Sequence, residues 1–105
     1  ENSSPRLAST EFKDIPFGKI FTDHMFMADY EDGSWGNFEI CPVHELSVHP
    51  GNLAWHYGQS IFEGLKAYKH KDGSIKTFRP KSNAARFAKS AKRMAMPEIP
   101  EELFV

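Results

Sequence analysis

Hydrophobic and polar residues alternate along two stretches of the N-terminal half, and this pattern predicts an antiparallel pair of strands. The segment PFGKIFTDHMFMADY, residues 16–30, is rich in β-branched and aromatic residues after its glycine and predicts a long first strand. The segment FEICPVHEL, residues 38–46, predicts the returning strand, with Pro42 at an edge or a bulge because proline donates no backbone hydrogen bond. Between them, EDGSWGN predicts a turn through its Asp-Gly and Trp-Gly pairs.

The C-terminal half predicts a second hairpin and then a helix. LKAYKHKDGSIKTF, residues 65–78, has two alternating runs around Asp72-Gly73, a dipeptide that tight hairpins favour. PKSNAARFAKSAKRMA, residues 80–95, predicts a helix whose apolar residues share one arc: Ala84, Phe87, Ala88, Ala91, Met94 and Ala95. Strands joined by hairpins, with helices packed on them, predict an α+β fold with a mainly antiparallel sheet.

The chain is predicted to contain one small domain, residues 14–105, preceded by a polar arm, residues 1–13. The sequence does not begin with methionine, and its last residues, PEIPEELFV, predict a helix that begins at Pro100 and runs on. These two features predict that the chain belongs to a longer polypeptide.

Composition and charge narrow the class of protein. Thirteen basic and fourteen acidic side chains give a net charge of -1, so no overall field would attract nucleic acid or an anionic membrane. The single cysteine, Cys41, forms no internal disulfide and fits a reducing compartment. The first ten residues lack the apolar core of a secretory signal. The predicted location is therefore the cytoplasm.

Several kinds of reactive site find little support in the sequence. The five histidines are not spaced as zinc ligands are, so no metal site is predicted. Cys41, next to a proline in a predicted strand, is typical of a small core residue. Ser60 lies in GQSIFEG, which differs from the Gly-x-Ser-x-Gly nucleophile motif, and no glycine-rich phosphate loop is present.

The aromatic stretch HYGQSIFEG, residues 56–64, is the first candidate site and fits either a helical turn or a loop. Its glycines permit tight backbone paths around Tyr57 and Phe62. Rings held in this way can form the wall of an apolar pocket, with the tyrosine hydroxyl as one orienting partner. They can equally pack beneath the neighbouring hairpin. The residues alone leave both interpretations open.

Arg86 is the second candidate. It lies on the predicted helix far from the centre of the apolar arc, so a solvated arginine is the simple interpretation. An arginine near the start of a helix is also a good anchor for an anion, because the helix amides add to its charge. If further protein covers that side of the helix, Arg86 could reach a bound phosphate.

The sequence resembles the N-terminal part of branched-chain amino acid aminotransferases, which are pyridoxal-phosphate enzymes of fold type IV. The resemblance is carried by PFGKIFTDHMF, LSVHPGNLAWHYGQSIFEGLKAYK and TFRPKSNAARFAKSAKRMAMP and extends from Phe17 to Val105. The composite of FTDHM, HYGQSIFEGLKAY and FRP followed by Asn and Arg is highly specific, whereas FEG alone also occurs in looser relatives.

The resemblance implies roles for four residues. Arg86 matches the arginine that binds the cofactor phosphate. Phe17, Tyr57 and Phe62 match residues of the substrate pocket, and the tyrosine hydroxyl is expected to help place the substrate carboxylate. The implied reaction transfers an amino group between leucine, isoleucine or valine and 2-oxoglutarate. The implied assembly is a homodimer.

One element of the family pattern is missing, because none of the nine lysines matches the Schiff-base lysine by motif. No catalytic residue is therefore predicted within this chain, and the segment alone is expected to be inactive. Two alternatives stay open. One is a D-amino acid aminotransferase or an aminodeoxychorismate lyase-like enzyme on the same fold. The other is a free-standing noncatalytic domain that binds a small molecule or a partner through the aromatic loop.

Overall fold

The computed structural model describes residues 5–105, which form two compact units. The first unit extends to Ser47 and the second runs from Val48 to Val105. Together they contain three α-helices and two separate two-stranded antiparallel sheets among the described residues. The predicted α+β class with antiparallel pairing is confirmed. The strands form two hairpins, where one main sheet was expected.

The predicted arm contains two short 3-10 turns, Arg6–Ser9 and Phe12–Asp14, where a tail or extended segment was expected. Residues 1–4 of this prediction lie outside the described residues. Arg6 ties the arm to the first unit. Its backbone amide donates to the Asp23 carboxylate at 3.2 Å, and its guanidinium donates to two backbone carbonyls of residues 21–22 at 3.3 Å.

A long hairpin forms most of the first unit. Strand β1, His24–Glu31, pairs with β2, Ser34–Pro42, and the register shifts at a bulge between Met27 and Asp29. The connecting residues are Asp32 and Gly33 alone, both at positive φ (50° and 82°). Such a two-residue turn matches the right-handed twist of paired strands.

The long first strand predicted from Pro16 is wrong in its first half, since β1 begins only at His24. Gly18 has φ 70° and takes part in a turn closed by the Lys19 amide and the Pro16 carbonyl, 3.3 Å apart. The second strand is displaced as well, from the predicted residues 38–46 to 34–42. It ends at Pro42, which cannot continue the ladder on its N–H side.

The second unit begins with a one-turn helix and a short hairpin. Helix α1, Leu53–Tyr57, is capped by Asn52, whose side chain accepts from the Ala54 amide at 2.8 Å. The predicted hairpin around Asp72-Gly73 is confirmed as β3, Ala67–Lys69, and β4, Ile75–Thr77.

The predicted helix that starts at Pro80 is confirmed as α2, Pro80–Arg93. It ends in a Schellman arrangement, in which the Met96 amide donates to the Ala91 carbonyl at 2.9 Å and Ala95 takes a left-handed φ of 52°. Helix α3, Glu101–Phe104, follows as predicted. Phe104 packs on α2 through Phe87, with ring centroids 5.6 Å apart.

Few apolar side chains are buried in either unit. Among the described residues, the buried hydrophobic side chains are Cys41, Ala84 and Ala91. The predicted apolar arc of α2 is therefore confirmed at its centre, with small residues buried and Phe87, Ala88 and Met94 half-buried. No helix in residues 5–105 is long and apolar enough to cross a membrane.

Candidate functional site

The aromatic loop and helix α2 form one piece of structure in the second unit. Residues 59–64 run alongside the helix and are fastened to it at both ends. At one end, the Gln59 side-chain amide donates to the Met94 carbonyl at 2.9 Å. At the other end, the Asn83 side-chain amide donates to the Gly64 carbonyl at 2.8 Å. We call residues 59–64 the clasped segment.

The lengths of the two elements explain this arrangement. Asn83 and Met94 are eleven residues apart, which is about 16 Å along a helix. Five extended residue steps from Gln59 to Gly64 cover about 17 Å. The clasped segment therefore lies antiparallel to α2, with Gln59 at Met94 and Gly64 at Asn83.

The burial of the side chains alternates from residue to residue along the clasped segment. Gln59, Ile61 and Glu63 are half-buried, whereas Ser60 and Phe62 are exposed. Phe62 is 90% exposed, although it is a large ring in a polar chain. The Phe62 ring is therefore exposed and is not packed into the interior of the unit. The predicted alternative, in which this ring packs beneath the hairpin, is wrong.

Glu63 holds one end of the clasped segment to helix α2. The sequence analysis assigned it no role. Its side chain is only 5% exposed. Arg86 donates to both of its carboxylate oxygens, from Nε to Oε2 at 2.6 Å and from Nη2 to Oε1. The Asn83 amide and the Gly64 backbone N–H also donate to Oε1, at 3.2 and 2.9 Å. Four donors therefore converge on this one carboxylate.

The hydrogen bonds explain the acid strength of Glu63. The bonds from Arg86 are the largest cause, and they lower the pKa of Glu63 to about 2 against burial, which raises it. The bonds from Asn83 and Gly64 and the charge of Arg86 lower it further. The same bonds raise the pKa of Arg86. The pair is therefore ionised throughout the neutral range, and Arg86 is held in a fixed orientation.

A groove of about 450 Å³ lies between the clasped segment and α2. Three of its lining residues are basic, and they recur along one side of the helix: Arg86, Lys89 and Arg93. Two hydroxyl residues, Ser60 and Ser90, and Phe62 also line it. No acidic residue is among the lining residues, so the groove suits an anion that has an apolar part.

The donor set of the groove fits a phosphate or a carboxylate group. Glu63 engages Nε and Nη2 of Arg86, and the second terminal nitrogen, Nη1, has no partner among the described residues. A guanidinium fixed by one carboxylate can still donate to an anion on its other side. Within residues 5–105, no three His, Cys, Asp or Glu side chains come together to hold a metal ion.

The four predicted site residues are not all brought together. Phe62 and Arg86 line the same groove. Tyr57, at the end of α1, is 81% exposed and is not among the lining residues of that groove. Phe17 is fully exposed in the turn of residues 16–19, within the first unit. Sequence reasoning missed Glu63, because its partners Asn83 and Arg86 lie 20 and 23 residues further along the chain.

Comparison with known proteins confirms the sequence resemblance. The chain is 52% identical over 90 residues to a branched-chain-amino-acid aminotransferase of Mycolicibacterium smegmatis, which covers 85% of the chain and 24% of that protein. It is 46% identical over 95 residues to a branched-chain-amino-acid aminotransferase of Haemophilus influenzae, and the match covers 90% of the chain and 28% of that protein. It is 48% identical over 90 residues to branched-chain-amino-acid transaminase 1 of Bacillus subtilis, covering 85% and 25%.

The chain thus spans about a quarter of the length of the curated relatives it matches. No protein-family model matches the sequence.

Proposed function

We propose that this chain is a segment of a branched-chain-amino-acid aminotransferase and that it supplies one wall of the substrate pocket together with an arginine for the cofactor phosphate. The whole enzyme would transfer the amino group between leucine, isoleucine or valine and 2-oxoglutarate, on a fold of type IV. The observation that carries this proposal is the clasped segment, which presents Phe62 and the fixed guanidinium of Arg86 on one groove.

The groove residues have separate tasks in this proposal. Arg86 binds the phosphate through the donor that Glu63 leaves free, and Glu63 positions it without touching the ligand. Phe62 offers an aliphatic side chain an apolar surface that excludes water. The family resemblance alone assigns Phe17 to the substrate pocket, and it assigns the hydroxyl of Tyr57 a hydrogen bond to the substrate carboxylate.

Pyridoxal phosphate, when bound, supplies the electron sink for the reaction. The residues of this chain bind and orient, and the proton-transferring lysine of the family has no counterpart among the nine lysines present. The single cysteine favours a reducing compartment, and the cytoplasm remains the predicted location.

The extent of exposed apolar surface supports a larger assembly. Phe17 is fully exposed and Phe62 is 90% exposed. Large exposed rings such as Phe17 and Phe62 need a partner surface. We propose that the rest of the enzyme and a second subunit of a homodimer provide it.

An activity assay on the whole polypeptide that contains this chain tests the function. We expect amino transfer from leucine, isoleucine and valine to 2-oxoglutarate, and little from D-alanine. Turnover of D-alanine without turnover of leucine would replace the proposal with the D-amino acid alternative. Absence of any amino transfer by the cofactor-loaded protein would favour a noncatalytic binding role.

Removal of the Phe62 ring tests whether it forms part of the wall of the substrate pocket. Phe62→Ala should lower turnover of leucine while cofactor binding is largely kept, because the ring contacts the substrate side chain only. Phe12→Ala removes an exposed ring from the predicted arm, away from the groove residues in sequence, and serves as the control. Equal loss of turnover and cofactor binding in Phe62→Ala would show that the ring is structural.

A further inference from the structure

On helix α2, Asn83 holds both the backbone and the side chain of one end of the clasped segment. Its side-chain nitrogen, Nδ2, donates to the Gly64 carbonyl at 2.8 Å and to Glu63 Oε1 at 3.2 Å. Both partners are acceptors, so the nitrogen of the amide faces them, and its two hydrogens can serve one partner each. One side chain therefore fixes the backbone close to Phe62 and also the carboxylate that orients Arg86.

Asn83 and Arg86 lie three residues apart, so both are on the same side of α2. They supply three of the four hydrogen bonds that Glu63 accepts. The Arg86 side chain is long and 67% exposed, and a contact to it alone would let the carboxylate and the guanidinium move together. The short Asn83 side chain ties the carboxylate to the helix. It therefore restricts the guanidinium as well.

Helix formation alone gives no reason for an asparagine at this position. Asn83 is the fourth residue of α2, and asparagine forms helices less readily than alanine, which occupies the next two positions. The half-buried Asn83 side chain instead spends its donor capacity on the clasped segment. These two contacts account for the residue type.

We propose that Asn83 is a positioning residue that sets the separation between the Phe62 wall and the guanidinium of Arg86. It acts on the wall through the Gly64 carbonyl and on the arginine through Glu63, and it touches neither substrate nor cofactor. This role rests on the proposed function, in which the phosphate binds at Arg86 and the substrate side chain binds at Phe62. Because the reaction needs both groups in place, a wrong separation lowers the rate even when each ligand binds.

A double-mutant cycle on cofactor binding tests the path through Arg86. In the whole enzyme, Asn83→Ala should raise the dissociation constant of pyridoxal phosphate about two- to tenfold, which is the range of one neutral hydrogen bond. In the Arg86→Ala background it should change the constant by less than about twofold, because the group through which Asn83 acts is gone. Equilibrium dialysis gives the four constants. Ser82→Ala, at the adjacent exposed position of α2, is the control and should leave the constant unchanged.

Turnover by sites that hold the cofactor is the second measurement. A purely structural role would reduce the number of loaded sites and leave kcat for leucine per loaded site unchanged. Displacement of the wall should instead lower this kcat about tenfold, since a misplacement of about 1 Å can cost about a hundredfold.

Hydrogen exchange of the cofactor-free protein gives a measurement that does not depend on activity. The Gly64 amide donates to Glu63 Oε1 at 2.9 Å, so its protection reports whether the carboxylate is held in place. This amide should exchange faster in Asn83→Ala than in Ser82→Ala.

Either of two results would overturn this role for Asn83: equal weakening by Asn83→Ala in both backgrounds of the cycle, or an unchanged kcat per loaded site. Failure of the proposed function is seen separately, as absence of amino transfer by the cofactor-loaded unmodified protein, and the binding cycle can still be read in that case. Circular dichroism establishes that each variant is folded. Asn83→Asp keeps the shape of the side chain but removes the donor, so it gives the same comparison if Asn83→Ala fails to fold.

Discussion

The two phenylalanines assigned to the substrate pocket are carried by segments of very different construction. Phe62 sits in the clasped segment, which side chains hold to α2 at both ends. Phe17 sits in residues 16–22, whose hydrogen bonds in the described part of the chain come from its own turn, from Thr22 to the His24 carbonyl and from Arg6. The position of Phe62 is therefore fixed within its own unit. Residues 16–22 lack such a scaffold.

The largest effect is expected from removing Arg86, and it tests whether the guanidinium that Glu63 orients binds a ligand. Arg86→Ala should weaken retention of pyridoxal phosphate by the whole enzyme about ten- to a hundredfold, because it removes a charge-assisted hydrogen bond. Lys92→Ala, exposed on the same helix but not lining the groove, is the control. Equilibrium dialysis of the cofactor gives the two dissociation constants. An unchanged constant in Arg86→Ala would return this residue to a purely structural role in the clasp.

The same contrast explains what the sequence could predict. Helix α2 and the 72–73 hairpin were predicted because their signals are local: Pro80 at a helix start and Asp72-Gly73 at a turn. Residues 16–22 were assigned to a strand because aromatic and β-branched residues fit a strand equally well. The turn at Gly18, with φ 70°, overrides that propensity.

The clasp itself could not be predicted, because it joins residues far apart in the chain. Glu63 and Arg86 are 23 positions apart, and Gln59 and Met94 are 35 apart. No local pattern encodes such pairs. The family resemblance supplied Arg86 but not the carboxylate that orients it, since that role depends on four donors that converge only in the folded unit.

Overpacking helix α2 beneath the clasped segment should have the second-largest effect, which is a loss of folding stability. Ala91 is fully buried and lies on α2 between the two anchor residues, Asn83 and Met94. Ala91→Leu should destabilise the chain by about 1–3 kcal/mol, because added methylenes force neighbouring atoms apart. Urea unfolding measures this, and Ala85→Leu, at an exposed position of the same helix, should be nearly neutral. Equal stability of the two variants would mean that the small residue at 91 is not required.

Acid should weaken the attachment of the clasped segment to α2, because it protonates the Glu63 carboxylate that accepts from Arg86. Its pKa is lowered from 4.5 to about 2, so its contribution to stability is fully present above pH 4.5 and is lost as pH falls towards 2. Glu63→Gln should remove this part of the acid dependence, and the two proteins should converge in stability near pH 2. Urea midpoints measured from pH 6 to pH 2 test it. Parallel curves for the two proteins would show that the carboxylate is not held by Arg86 in solution.

The other end of the clasp is neutral and should contribute less. Gln59→Ala removes the amide that donates to the Met94 carbonyl and should cost about 0.5–1.5 kcal/mol at any pH between 3 and 8. A matched substitution, Ser60→Ala, changes the adjacent exposed residue of the segment and should have little effect. If Gln59→Ala also left the urea midpoint unchanged, the segment would be held at the Glu63 end alone.

The smallest effect is expected at the C-terminal end of α2, where a substitution should raise the stability of the fold. Ala95 takes φ 52° at the position where helices prefer glycine, since a Cβ is strained in the left-handed region. Ala95→Gly relieves that strain and at the same time makes the unfolded chain more flexible, so we expect a net gain of only about 0.5 kcal/mol. Thermal unfolding should show a slightly raised midpoint. A lowered midpoint would mean that residue 95 does not have a left-handed backbone in solution. The adjacent Met94 carbonyl, which accepts from Gln59, would then have a different orientation.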